Sequence, residues 1–184
     1  MGDYVLGLLS TSPVSEHPDL VAPSVWEALQ ALGLASVVGV VEIDPDLSDT
    51  AATELAYGLA TETLVNCVIV TGKREGDVRT AACLVPATTR ADINGFVKRR
   101  LDVRKASFLA REDAVAATGM EFGGITPIGL PAGWPILVDS RIQYTPVVII
   151  GSGIRKSKLL VPGDLFASLP GVEIIDDLGR LVSA

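Results

Sequence analysis

Residues 64–86 read "LVNCVIVTGKREGDVRTAACLVP". Both ends of this stretch are almost entirely β-branched or apolar, while "KREGD" (73–77) combines charge with a glycine, so a hairpin of two strands is predicted around that turn. Polar residues are too sparse on either arm for one face to meet water, and both strands are expected to be buried.

On the N-terminal side, "HPDLVAPSVWEALQALG" (17–33) spaces Leu20, Trp26, Leu29 and Leu32 at near-helical intervals and stops at Gly33, with Pro23 near its start. It predicts an amphipathic helix. "SVVGVVEID" (36–44) reads as a strand, and "SDTAATELAYGLAT" (48–61) as a second helix. Ser48, Asp49 and Thr50 are its candidate N-caps, with Glu54 as a capping-box partner.

On the C-terminal side, "RADINGFVKRRL" (90–101) sets Ile93, Phe96, Val97 and Leu101 on one helical face. "KASFLA" (105–110) is a short strand, and "REDAVAATG" (111–119) a helix closed by Gly119. "WPILVD", "TPVVIIG" and "KLLVP" follow as short strands, then "GDLFASL" (163–169) as a last helix and "VEIID" as a final strand. The pattern describes one α+β domain with a mixed sheet. Residues 1–17 are expected to form a loosely packed leader, and residues 18–184 the domain itself.

The chain has 184 residues, 48% of them hydrophobic and 20% charged. A chain of this length buries roughly 70% of the surface its unfolded form exposes, enough for a full core without disulfides or a structural metal. The two cysteines, Cys67 and Cys83, lie in apolar runs with no metal-ligand spacing and read as small buried side chains. "MGDYVLGLLSTSP" has no basic leader, and its apolar run is far below the roughly 20 residues that span a bilayer. A cytoplasmic protein is expected. The net charge of −7 excludes a protein whose affinity rests on covering a long phosphate backbone. Two local basic clusters, "KRRLDVRK" (98–105) and "RKSK" (155–158), read first as solvated surface.

A nucleophilic hydrolase needs a base beside its serine or cysteine, but the one histidine is His17 in the leader, which sets a triad aside. "DPDLSD" (44–49) has the alternate acidic positions of a calcium loop without its central glycine or terminal glutamate. No dinucleotide or P-loop phosphate motif is present. What remains is "EFGGITPIGLP" (121–131), where Gly123 and Gly124 remove side-chain bulk and Pro127 restricts the loop. Backbone N–H groups exposed in this way can hold an ester carbonyl or its oxyanion.

With this loop the chain resembles the YbaK/prolyl-tRNA-synthetase-associated editing domains, which hydrolyse mischarged aminoacyl-tRNA. The likeness runs in order from about Pro18 to Leu181. It rests on "DTAATELAYGLATETLVNCVIV" (49–70), "AREDAVAATGMEFGGITPIGLP" (110–131), "PILVDSRIQYTPVVIIGSG" (135–153) and "LLVPGDLFASL" (159–169).

The resemblance implies a mostly antiparallel, curved sheet surrounded by helices, and a pocket for the tRNA 3′ end carrying its aminoacyl ester. It implies no cofactor and no metal. Gly123, Gly124, Ile125, Thr126 and Pro127 match the family's GxxxP loop, expected to hold and activate the ester. Gly129 extends that loop, Asp139 matches a frequent aspartate on the next strand, and Gly151, Ser152 and Gly153 fall on a turn near the pocket. Lys98, Arg99, Arg100 and Arg104 are candidate acceptor-stem contacts, and an aminoacyl-tRNA synthetase is a candidate delivery partner.

Under this reading a water or the neighbouring ribose hydroxyl attacks the polarised carbonyl, while Asn66 and Thr126 orient the substrate. One position departs from the pattern: Asn66 stands where many members carry a lysine. Loss of a charge-assisted contact of about 1.5–3 kcal/mol lowers transition-state stabilisation roughly 10- to 100-fold unless something replaces it. Neither Lys73 nor Arg79 is an evident replacement. The alternative to an active deacylase is therefore a weakened or inactive paralogue that binds aminoacyl-tRNA or a nucleotide-like ligand.

Overall fold

The computed structural model describes residues 2–181. Three short strands, β1 (Val5–Leu6), β2 (Leu9–Ser10) and β3 (Ser12–Pro13), precede helix α1 (Pro23–Ala31). Strand β4 (Gly39–Glu42) leads through a 3-10 turn (Pro45–Leu47) into α2 (Thr50–Tyr57). The hairpin is β5 (Val65–Arg74) and β6 (Asp77–Pro86). Next come β7 (Thr89–Ala91), a π-helical turn (Ile93–Val97) continuing as α3 (Lys98–Leu101), β8 (Ala106–Phe108) and α4 (Arg111–Thr118). The chain ends through β9 (Ile136–Asp139), α5 (Ser140–Gln143), β10 (Val148–Gly151), β11 (Ser157–Val161), a 3-10 helix (Gly163–Ser168), β12 (Val172–Ile175) and β13 (Gly179–Leu181).

The hairpin organises the molecule. Its arms pair from Val65↔Pro86 to Arg74↔Asp77. Glu75 (φ 53°) and Gly76 (φ 93°) form a two-residue turn with both residues left-handed, the geometry whose twist matches that of the flanking strands. A five-stranded sheet grows around it in the order β12-β9-β6-β5-β8, with β12, β9 and β6 parallel and the other pairings antiparallel. A second, antiparallel sheet runs β10-β11-β4-β3. The architecture is thus α+β, mixed and mostly antiparallel.

Both faces of the hairpin are covered, which explains why neither arm alternates. Val65 and Leu84 join the core under α1, with Leu29, Val138, Ile150 and Phe166. Val70, Ala81 and Cys83 join a second core with Val97, Leu101 and Leu178.

The N-terminal leader is not loosely packed. Val14 is fully buried, β3 pairs with β4, Thr11 Oγ1 donates to Gly2 O (2.7 Å) and Tyr4 OH to Val37 O (2.8 Å); Met1 lies outside the described residues. At α2 the cap is Asp49, whose carboxylate accepts from Ala52 N (2.9 Å). Glu54 forms no capping box and accepts from Thr61 Oγ1 instead. The helix expected over 90–101 starts late: its first residues pair as β7 with β13, and the Asp92 carboxylate takes the Gly95 and Phe96 amides, widening the first turn. The final helix is 3-10 over its whole length, and a Cβ on Gly163 would lie 2.1 Å from Ile142 O.

Asp139 joins several of these elements. Its wholly buried carboxylate accepts from the Arg141 backbone N (3.1 Å), from Arg141 Nε (2.7 Å) and a terminal nitrogen (2.6 Å), and from Gly179 N (2.7 Å), so it caps α5 and anchors β13. Burial opposes the charge, but the Arg141 and Gly179 hydrogen bonds outweigh it and hold the carboxyl below its usual range. Because the folded pKa lies below the unfolded one, this stabilisation is present above the unfolded value and is lost as pH falls through the folded one. Because the Arg141 side chain left behind is 40% exposed and can be solvated, Asp139→Ala should cost about 1.5–3 kcal/mol in urea denaturation at neutral pH. The gap between native and variant should shrink as the pH is lowered into the acid range.

Candidate functional site

Strand β5 pairs with β6 along one edge throughout, but its other edge is shared. At one end Leu64, which precedes the strand, bridges to Ile149 of β10; at the other, residues 70–72 pair with β8 and Ile69 O accepts from Leu109 N (2.9 Å). Between these points no strand among the described residues meets that edge. The N–H and C=O of alternate strand residues face the same edge, so the outward Ile69 carbonyl implies that those of Cys67 also face outward. As β10 diverges from β5, a cavity of about 470 Å³ opens beside this unpaired backbone, a volume suited to a small ligand.

Leu64, Val68, Ile69, Ile125, Ile149 and Ile150 supply apolar wall. A polar group sits among them: Thr50 Oγ1 donates to Asn66 Oδ1 (2.7 Å), and Lys158 Nζ donates to Ser48 O (2.7 Å). Phe108 and Phe122, 61% and 45% exposed, mark the mouth, where the Arg111 guanidinium stands 4.9 Å from the Phe122 ring centroid.

Of the residues expected from sequence, Asn66, Gly123, Ile125 and Gly151 line this cavity, and Gly124 and Thr126 do not. The Gly124 amide is committed to Glu121 O (2.9 Å), and its carbonyl accepts from Gly153 N (2.7 Å). A Cβ at Gly124 would lie 2.7 Å from Ile154 O, and one at Gly151 would lie 2.3 Å from Gly124 O. These two glycines therefore let the loop and the end of β10 touch backbone to backbone. The loop's candidate donors are the flanking amides of Gly123 and Ile125.

The remaining candidates lie elsewhere. Thr126 is fully buried, and its hydroxyl has no partner. Pro127 and Gly129 line a separate apolar groove. Asp139 is occupied by Arg141 and Gly179, and Ser152 Oγ bonds Ser157 Oγ (2.7 Å) inside the turn. In the basic cluster Arg100 is paired with Glu173, while Arg99 and Arg104 are exposed. Arg79 pairs with Asp102.

Sequence reasoning missed Lys158, Ser48 and Thr50 as pocket residues. The sequence sets Lys158 in a surface charge run, yet it is only 9% exposed. The available signal was its place at the head of "KLLV", the one charge in an otherwise buried strand. Burial, helped by the positive Arg155 and opposed by Asp49, lowers its pKa to about 8. Ser48 Oγ is buried without a partner. Arg155 ties the surrounding segments together: its N–H donates to the Glu121 carboxylate (2.6 Å) and its guanidinium to Pro45 O (2.9 Å). Cys67 also lines the cavity, where burial and the neighbouring Cys83 push its thiol pKa up. Among the described residues no cluster of three or more His, Cys, Asp or Glu could hold a metal ion, and no helix is long and apolar enough to cross a membrane.

These features define a small α+β domain with a partly enclosed cavity built on main chain as well as side chains. The aminoacyl-tRNA editing domain model matches residues 44–169, which include every residue lining the cavity, and the chain belongs to that family. Among solved structures, a proposed trans-editing enzyme for prolyl-tRNA synthetase superposes with a TM-score of 0.73 at 21% identity, covering 87% of this chain and 99% of that one. A hypothetical protein superposes equally well, TM-score 0.73 at 21% identity, covering 85% and 99%. At these identities the likeness shows the fold. No curated protein is similar enough in sequence to count as a relative.

The contact between loop and strand can be tested directly. Gly151→Ala forces a methyl group into the Gly124 carbonyl and should cost about 1–3 kcal/mol, read from the denaturation midpoint. Gly133→Ala, where an added Cβ meets nothing within 4 Å, is the comparison. Its positive φ of 85° carries its own strain, so the diagnostic reading is a larger loss at Gly151.

Proposed function

We propose that this chain hydrolyses mischarged aminoacyl-tRNA in trans, admitting the 3′-terminal adenosine and its esterified amino acid to the cavity beside β5. The observation that carries the reading is the unpaired β5 edge: a member of an editing family has main-chain donors facing a cavity of ligand size. The Cys67 amide, with those of Gly123 and Ile125, would polarise the ester carbonyl. Each donor pre-aimed at developing negative charge is worth about 2.7–4 kcal/mol.

Water then adds to the carbonyl carbon, the bond to the ribose oxygen breaks, and the proton lost by water ends on that oxygen. The products are a free amino acid and an uncharged tRNA end. No protein nucleophile takes part. Phe108 and Phe122 offer flat surfaces for the terminal base, since base–aromatic stacking is worth about 1–3 kcal/mol. The apolar walls select by size, at roughly 10- to 200-fold per methylene.

For the acceptor stem, Lys98, Arg99 and Arg104 remain the proposed contacts, with Arg100 engaged by Glu173. Lys105, next to Arg104, lies three residues from Phe108, roughly 10 Å along an extended chain, so the Arg104 end of the cluster is the one near the mouth. The setting is the cytoplasm, with delivery by a synthetase as one route for substrate.

Deacylation of a panel of mischarged tRNAs tests the reading. Native protein should release at least one small amino acid above the spontaneous rate, and Phe122→Ala should raise KM more than it lowers kcat. Turnover that appears only in Asn66→Lys would favour the alternative, a paralogue that binds without hydrolysis. Replacing Lys98, Arg99 and Arg104 by alanine should flatten the salt dependence of kcat/KM; an unchanged slope removes them from the interface.

A further inference from the structure

We infer that Lys158 and the Ser48 hydroxyl form the polar anchor of the cavity, gripping an acceptor oxygen of the bound aminoacyl ester from β11 and the segment before α2. The inference rests on the deacylase reading for the identity of the ligand, but its geometry stands apart from that reading.

Lys158 occupies the middle of the second sheet, opposite Gly151 on one side and Val41 on the other. Residues directly opposite on antiparallel strands project to the same face, so Lys158 extends over the face where Gly151 has no side chain. The Gly124–Ile125 carbonyls pack against Gly151 on that face. The space an ordinary residue would fill at 151 is taken by the loop backbone.

The ammonium has three N–H donors, and one is spent on Ser48 O. No described carboxylate forms an ion pair with it. A buried cation is normally paired, because removing its charge from water is costly. Ser48, whose carbonyl takes that bond, is 1% exposed and lines the same cavity, and its Oγ is buried without a hydrogen-bond partner. Two incomplete polar groups, joined through the Ser48 carbonyl, thus face one space. An acceptor oxygen placed there would take a donor from each. Asn66 cannot play this part with charge, and its Oδ1 already accepts from Thr50. The chain therefore carries its cavity cation on β11, while the β5 position lining the same cavity is the neutral Asn66.

A purely structural role would make Lys158 a tie between β11 and Ser48, and ligand-dependent readouts separate the two. The proteins are native, Lys158→Met, Ser48→Ala and the relocation variant Asn66→Lys/Lys158→Met. Each is measured for thermal midpoint, for kcat and KM on the substrate that the native protein deacylates, and for the Kd of an adenosine carrying the amino acid through a 3′-amide that cannot be hydrolysed. The expected result is a loss of tenfold or more in kcat/KM and a Kd weakened by tenfold or more in Lys158→Met. Ser48→Ala should show a smaller loss of the same kind, and the relocation variant partial recovery.

Native-like kcat/KM and Kd in Lys158→Met would overturn the anchor while leaving the deacylase reading intact. If native protein cleaves none of the panel, the deacylase reading falls, and the Kd values alone decide the anchor: a tenfold weakening supports it and equal Kd values overturn it. Should Lys158→Met fail to fold, Ser48→Ala, which removes a single oxygen atom, decides by the same Kd comparison.

Discussion

A strand edge can hydrogen-bond to only one neighbour at a time. Near Leu64 the free edge of β5 is directed to β10, and from Ile69 onward to β8, so the intervening backbone has no sheet partner. Buried main-chain groups are almost always satisfied. A gap of this kind persists where water or a ligand supplies the missing bonds, and the candidate site lies in that gap. The second sheet departs there, α2 and the segment before it close one side, and β8 brings Phe108 to the rim.

The centre of the glycine-rich segment is engaged within the chain itself. Its central amide turns back to Glu121, and Gly124 and Gly151 are small because two backbones meet at van der Waals range. The loop is a wall held in place by contact with β10 and by Arg155. The candidate donors are on its flanks and at the β5 edge. A pattern of glycines reports that something approaches closely, but not whether the visitor is a ligand or another part of the chain.

The same distinction separates what was legible in the sequence from what was not. The hairpin, α1, α2, α4 and the strands β9 to β12 announce themselves through local periodicity and turn chemistry, which depend on near neighbours alone. The packing of the leader against β4 was hidden because it depends on residues 26 or more positions away, such as Tyr4 with Val37. Lys158 was hidden for a similar reason. Its neighbours Arg155 and Lys156 describe a surface run, and only its pairing with Gly151 and its bond to Ser48, 110 residues distant, turn it inward. Asn66 was placed in the pocket by resemblance, but its engagement with Thr50 needed the fold.

Cys67 supplies a last consequence. With an activated ester in the cavity, as proposed, an ionised sulfur beside it would itself attack the carbonyl and leave a thioester on the protein, blocking the cavity until that bond was cleared. Its apolar surroundings keep the sulfur protonated near neutrality, which suppresses self-acylation and, by the same chemistry, attack on peroxide. A cysteine can thus serve as inert lining in a chamber for acyl chemistry, and its safety there is set by the dryness of the wall behind it.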